Sequence, residues 1–76
     1  MLRASGLRIV IYRHDHEPPH VHVLGDGEVR ILLFGAGGLP ELVEITRMKP
    51  GDVRKALRAV RENHQLLLEE WRRIHG

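Results

Sequence analysis

From Val53 to His75 the chain runs 23 residues without a glycine or a proline, whereas glycines are frequent and side chains β-branched or aliphatic in the residues before it. This change of character near Lys49–Asp52 divides a single domain, residues 1–76, into a β-rich half (1–48) and a helical half (50–76). Pro50 presets φ for a first helical turn, and Asp52 offers a side-chain acceptor there. Val53, Leu57, Val60, Leu67, Trp71 and Ile74 recur at spacings of four and three, with His64 on the missing step. Leu66 and Leu68 widen this stripe, which reads as core or a dimer seam. One unbroken helix of about 24 residues would be roughly 36 Å long, more than so small a body can cover. A bend or two helices is therefore expected, with the break at Glu62-Asn63-His64 and Asn63 capping the second piece.

A chain of 76 residues buries only about 60% of the surface its unfolded form exposes. Two domains with a deep cleft between them are excluded, and a thin core makes homo-oligomerisation one route to stability. There is no cysteine, so disulfides, thiolate zinc sites and thiol nucleophiles are excluded. Apolar residues make up 42% and charged residues 29%, too apolar for a disordered chain. The longest uncharged stretch, Ile31–Pro40, falls short of the roughly 20 apolar residues of a membrane span. No signal-peptide pattern is visible, and a cytoplasmic, non-membrane location is expected.

The front half reads as short strands. Leu7–Arg13 alternates, with Leu7, Ile9 and Ile11 on one side. His14–Pro19 must be a loop, because two prolines remove two donors. His20–Leu24 and Glu28–Phe34 flank Gly25-Asp26-Gly27 and read as a hairpin. Gly35–Pro40 is a flexible connection, and Leu42–Arg47 is a fourth strand with helix as its rival. The expected fold is α+β: a mainly antiparallel sheet of three or four strands, packed on one face by C-terminal helix. The 14–19 loop is expected at a sheet edge or end, away from the helix. Ser5 falls near a frayed terminus.

Charge says little about partners. Twelve Lys+Arg against ten Asp+Glu give a net +2. Arg54, Arg58 and Arg61 follow one helical face; they make a solvated face or a contact for RNA or an acidic partner. Three aromatic residues (Tyr12, Phe34, Trp71) are too few for a nucleobase-stacking platform. The Gly35–Gly38 run lacks the spacing of a phosphate-binding loop. With one serine and one threonine, no nucleophilic triad is available.

Histidine is the unusual residue: six in all, four of them between His14 and His22. On a strand, His20 and His22 project from one face. His14, Asp15, His16 and Glu17 lie just upstream, where they can fold back beside that face. Three readings stay open. His16, His20 and His22 could ligate a divalent transition metal such as zinc, nickel or non-haem iron. The same three could act as acid and base, with Arg8 or Arg13 nearby, to cleave an RNA phosphodiester without a metal. Or the imidazoles could be structural, bonding backbone carbonyls and stacking on proline. Asp15 and Arg13 join the candidate binding residues.

The run Asp15-His16-Glu17-Pro18-Pro19-His20-Val21-His22-Val23, following a strand that ends Ile11-Tyr12-Arg13, resembles the short bacterial proteins of domain of unknown function 4160. Their hallmark is Asp-His-x-Pro-Pro-His-x-His. The likeness continues through a glycine-containing turn, a Gly-Leu-Pro link and a helical ending, here Leu67-Leu68-Glu69-Glu70-Trp71, and so covers nearly the whole chain. The resemblance implies a small prokaryotic protein, often encoded beside domain of unknown function 2442, in what would be a toxin–antitoxin-like pair. It implies a small protein partner or RNA, met by the basic helix face and the histidine corner. It carries over no catalytic residue, so a metal- or histidine-dependent hydrolase using the His14–His22 cluster, for example a ribonuclease, stands as the alternative.

Overall fold

The computed structural model describes residues 2–76. Along the chain come β1 (Leu2–Ala4), β2 (Leu7–Val10), β3 (His20–Leu24), β4 (Glu28–Leu32), a 3-10 turn (Ala36–Gly38), β5 (Glu41–Thr46), α1 (Pro50–Glu62) and α2 (His64–His75). The strands form one antiparallel sheet in the order β1-β2-β3-β4-β5. The fold is α+β as expected, but the sheet has five strands, not three or four. The added strand is β1. Ser5 and Gly6 both sit at positive φ, 54° and 76°, and Ala4 pairs with Leu7. Two consecutive left-handed residues make the tight turn whose twist suits a hairpin. The expected frayed end is thus the start of the sheet; the Ser-Gly dipeptide was the only signal for it.

Two strands are shorter than the sequence pattern suggests. β2 stops at Val10 because Tyr12 turns the chain away. Its amide donates to Asp15 Oδ2 at 3.2 Å, and its carbonyl accepts from the Asp15 amide at 3.2 Å. β4 stops at Leu32; the next amide, Leu33, donates to the Pro19 carbonyl at 2.9 Å. β5 is a strand and not a helix. Arg30 pairs with Glu44 and Ile31 with Leu42, which leaves Val43 as a bulged residue. A Cβ on Gly27 would collide with the backbone of Thr46 and Arg47. Only glycine lets the β3–β4 turn lie against the end of β5.

Alternation along the strands sorts the side chains onto two faces. Leu7, Ile9, Val21, Val23, Val29, Ile31 and Leu33 are buried together with Val53, Ala56, Ala59 and Val60 of α1 and Leu67, Leu68 and Trp71 of α2. The helices therefore cover one face. Leu68 joins this core, but Leu66, placed by the sequence in the same widened stripe, is 46% exposed.

The helical half is broken at Asn63 (φ −114°, ψ 21°). The longest dimension of the molecule is 32 Å, short of the roughly 36 Å of an unbroken helix. Asn63 does not cap α2 with its side chain. Instead its Nδ2 donates to the Ala59 carbonyl at 2.8 Å and closes α1. His64, the polar residue in the apolar stripe, donates from Nε2 to the Leu33 carbonyl at 2.6 Å and ties the bend to the end of β4. Pro50 opens α1 as expected. Asp52 makes no capping bond and contributes through its charge in the first turn. Among the described residues no helix is long and apolar enough to cross a membrane.

The histidine segment lies at the end of the sheet, between β2 and β3, but not away from the helices. Trp71 of α2 donates from Nε1 to Glu17 Oε1 at 3.1 Å, and its ring centroid lies 5.4 Å from that of His20. The Glu17–Pro18 peptide is cis.

Candidate metal centre

Because β3 is extended, His20 and His22 point from the face that Val21 and Val23 do not use. Their rings meet edge to face, with centroids 5.2 Å apart. Each Nδ1 faces a group that can only accept. His20 Nδ1 lies 2.8 Å from the Pro18 carbonyl, and His22 Nδ1 lies 2.8 Å from Glu28 Oε2. Both Nδ1 atoms must therefore carry the proton and donate. In the neutral ring this leaves Nε2 with its lone pair, and both Nε2 atoms turn toward one carboxylate. His20 Nε2 is 3.5 Å from Asp15 Oδ2; His22 Nε2 is 3.2 Å from Oδ2 and 3.4 Å from Oδ1. The Tyr12 amide holds that carboxylate in place, and the Tyr12 ring leans on His22 with centroids 4.8 Å apart.

Three acceptors thus converge, and they need a proton or a cation among them. The imidazole–carboxylate distances suit a cation, and the three ligand atoms, which spread to 4.8 Å, would draw together on an ion roughly 2.1 Å from each. Two ligands roughly 2.1 Å from an ion at tetrahedral angles stand about 3.4 Å apart, and the observed imidazole–carboxylate distances are 3.2 to 3.5 Å. One ligand atom from each of Asp15, His20 and His22 falls within 4.8 Å of the others. The Nδ1 contacts to a carbonyl and to a carboxylate are those that orient metal-ligating histidines and raise their basicity. The side chains of His20, His22 and Asp15 are 11%, 13% and 16% exposed, so the site is largely shielded but reachable.

The other candidate residues lie elsewhere. His16 is exposed and stands outside the Asp15–His20–His22 group. It lines, with His14, Glu17, Pro18, Arg30, Leu32 and Val43, a cleft of about 410 Å³ that opens beside Asp15 and His20. Arg13 is exposed. Arg54, Arg58 and Arg61 are exposed on α1 and line neither the triad nor the cleft. Arg8 borders a separate shallow hollow with Glu28 and Arg47. Sequence reading missed Glu28. The signal was the hairpin register: a three-residue turn at 25–27 puts Arg30 opposite His22 and Glu28 at the adjoining end of the strand.

The sequence profile of the family described as Domain of unknown function (DUF4160) matches residues 6–72. The chain belongs to this family. The match contains the whole triad, its orienting residues Pro18 and Glu28, and Trp71. No curated protein and no solved structure shows a significant match to the chain. What the DUF4160 fold does must therefore be argued from its own side chains.

Proposed function

We propose that this DUF4160 chain holds a divalent transition metal ion at Asp15, His20 and His22 and acts as a metal-dependent hydrolase. The observation that carries the reading is the orientation of the two imidazoles: each Nδ1 faces an acceptor, and each Nε2 is turned toward Asp15. Two imidazoles and a carboxylate suit zinc or non-haem iron and leave a coordination position open. An ion so held acidifies a bound water and polarises a phosphoryl or carbonyl oxygen. The protein's part is to orient the ligands through Pro18 and Glu28 and to pack the Tyr12 and Trp71 rings against His22 and His20.

The test is metal analysis of the untagged protein, with RNA cleavage measured for wild type, His20→Ala and His22→Ala. The reading requires bound metal and cleavage in wild type and the loss of both in each variant. Cleavage that survives both substitutions rules out a hydrolytic role for this site. Metal-free protein that cleaves only with both histidines present supports the acid–base form instead.

A second reading, a small protein that works in a toxin–antitoxin-like pair, is favoured by a different surface. Phe34, Leu39, Val43 and Ile45, all in or near the edge strand β5, are 42–63% exposed. An unpaired strand edge beside exposed apolar side chains suits a protein partner. Pull-down of one small protein, lost in Ile45→Lys, supports it; the absence of any partner counts against it.

A further inference from the structure

We propose that Arg30, assisted by His14 and His16, forms an anion subsite beside the triad, and that the ligand it takes is a phosphate ester. This rests on the metal reading above. The β3–β4 register places Arg30 opposite His22 and Leu32 opposite His20. Directly opposed residues hold their Cβ atoms about 5 Å apart on one face, so Arg30 stands next to a ligand and Leu32 next to the other. Both line the cleft that opens beside Asp15 and His20.

The polar groups around this cleft divide into two sets. Each carboxylate is engaged: Asp15 with both histidines, Glu17 with Trp71, Glu28 with His22 and Glu44 with Arg30. The donors are not. Arg30 meets Glu44 through one nitrogen at 3.3 Å, its side chain 44% exposed, so most of the five guanidinium N–H groups are uncommitted. Among the described residues His14 and His16 make no hydrogen bond or ion pair with the protein. An ion and three donors around one cleft can engage more acceptor atoms than a carboxylate has. A phosphate ester offers enough, and its geometry suits the planar guanidinium fork. Pro18, Leu32 and Val43 supply an apolar wall for the group that the phosphate carries.

The experiment is calorimetric titration of zinc-loaded protein with inorganic phosphate and with bis(p-nitrophenyl) phosphate, after zinc content has been measured on the same samples. Arg30→Met is expected to weaken both ligands about tenfold, the effect of a lost charge-assisted hydrogen bond, with zinc content unchanged. Glu44→Gln, which frees the guanidinium, is expected to tighten them. The diester should bind more tightly than inorganic phosphate, because only it reaches the apolar wall. Equal affinity in wild type and Arg30→Met with zinc retained overturns the subsite alone. A wild-type chain that takes up no zinc overturns the metal reading on which the subsite depends.

Discussion

β3 carries two kinds of residue in alternation, and they face two kinds of surroundings. Val21 and Val23 have no solvent exposure and pack against the helices. His20 and His22, one residue away, converge on Asp15 across the other face. Both helices lie on one side of the sheet, and that covered side supplies the cohesion. The uncovered side is free to hold polar groups that a core would reject. The two faces touch at the end of the sheet, where Trp71 reaches from the core to Glu17 and His20. Stability and ligation should therefore separate by residue parity, except near Trp71.

The largest effect should come from the covered face. Ile31 is wholly buried, and Ile31→Ala should cost about 2–5 kcal/mol in urea unfolding, with metal uptake by the folded fraction unchanged. Next comes the open face. His22→Ala should lower zinc affinity by more than the roughly 10- to 100-fold that an orienting residue costs, with little change in the unfolding midpoint. A His22→Ala chain that fails to fold would erase the distinction between the faces. Glu28→Ala should fall within that 10- to 100-fold range, and Glu28→Gln, which keeps an acceptor for His22 Nδ1, should fall less.

The junction comes after these. Trp71→Phe keeps a ring in the core but removes the donor to Glu17. It should cost about 1–2 kcal/mol and also weaken zinc, the one substitution that reads on both faces. The smallest effect belongs to the exposed pair Glu70–Arg73, 2.7 Å apart. The hydrogen bond from Arg73 holds the Glu70 carboxyl below the ordinary carboxylate range. A lowered folded-state value means that any stabilisation is present above the unfolded carboxyl range and lost as pH falls through the lowered one. Both side chains are open to solvent, so Arg73→Ala should leave the unfolding midpoint at neutral pH unmoved.

Much of this was legible in the residues, and the misses share a cause. The helical stripe, the β3–β4 hairpin and the shared face of His20 and His22 follow from periodicity, a local property. β1 escaped because three residues are too few to show a period, and only the Ser5-Gly6 turn marked them. The sequence reading named His16 as the third ligand, and the structure groups Asp15 with the two histidines instead. Nothing in the spacing reveals that the Tyr12 amide captures the Asp15 carboxylate and sets it between the imidazoles, while His16 is left exposed. Glu28 and Trp71 lie 6 and 54 residues from their partners, and such contacts depend on register and helix placement, which local pattern does not carry.

The central claim is that two locked imidazoles and Asp15 make a cation site. Its most direct test is zinc titration of the untagged, chelator-treated chain, followed by calorimetry and by the emission of Trp71, the only tryptophan, whose ring lies 5.4 Å from that of His20. The account requires one ion per chain, a change in Trp71 emission that saturates at the same ratio, and no binding by His20→Ala or Asp15→Ala. A folded wild-type chain that takes up no zinc, nickel or iron, or one whose affinity survives both substitutions, would contradict it.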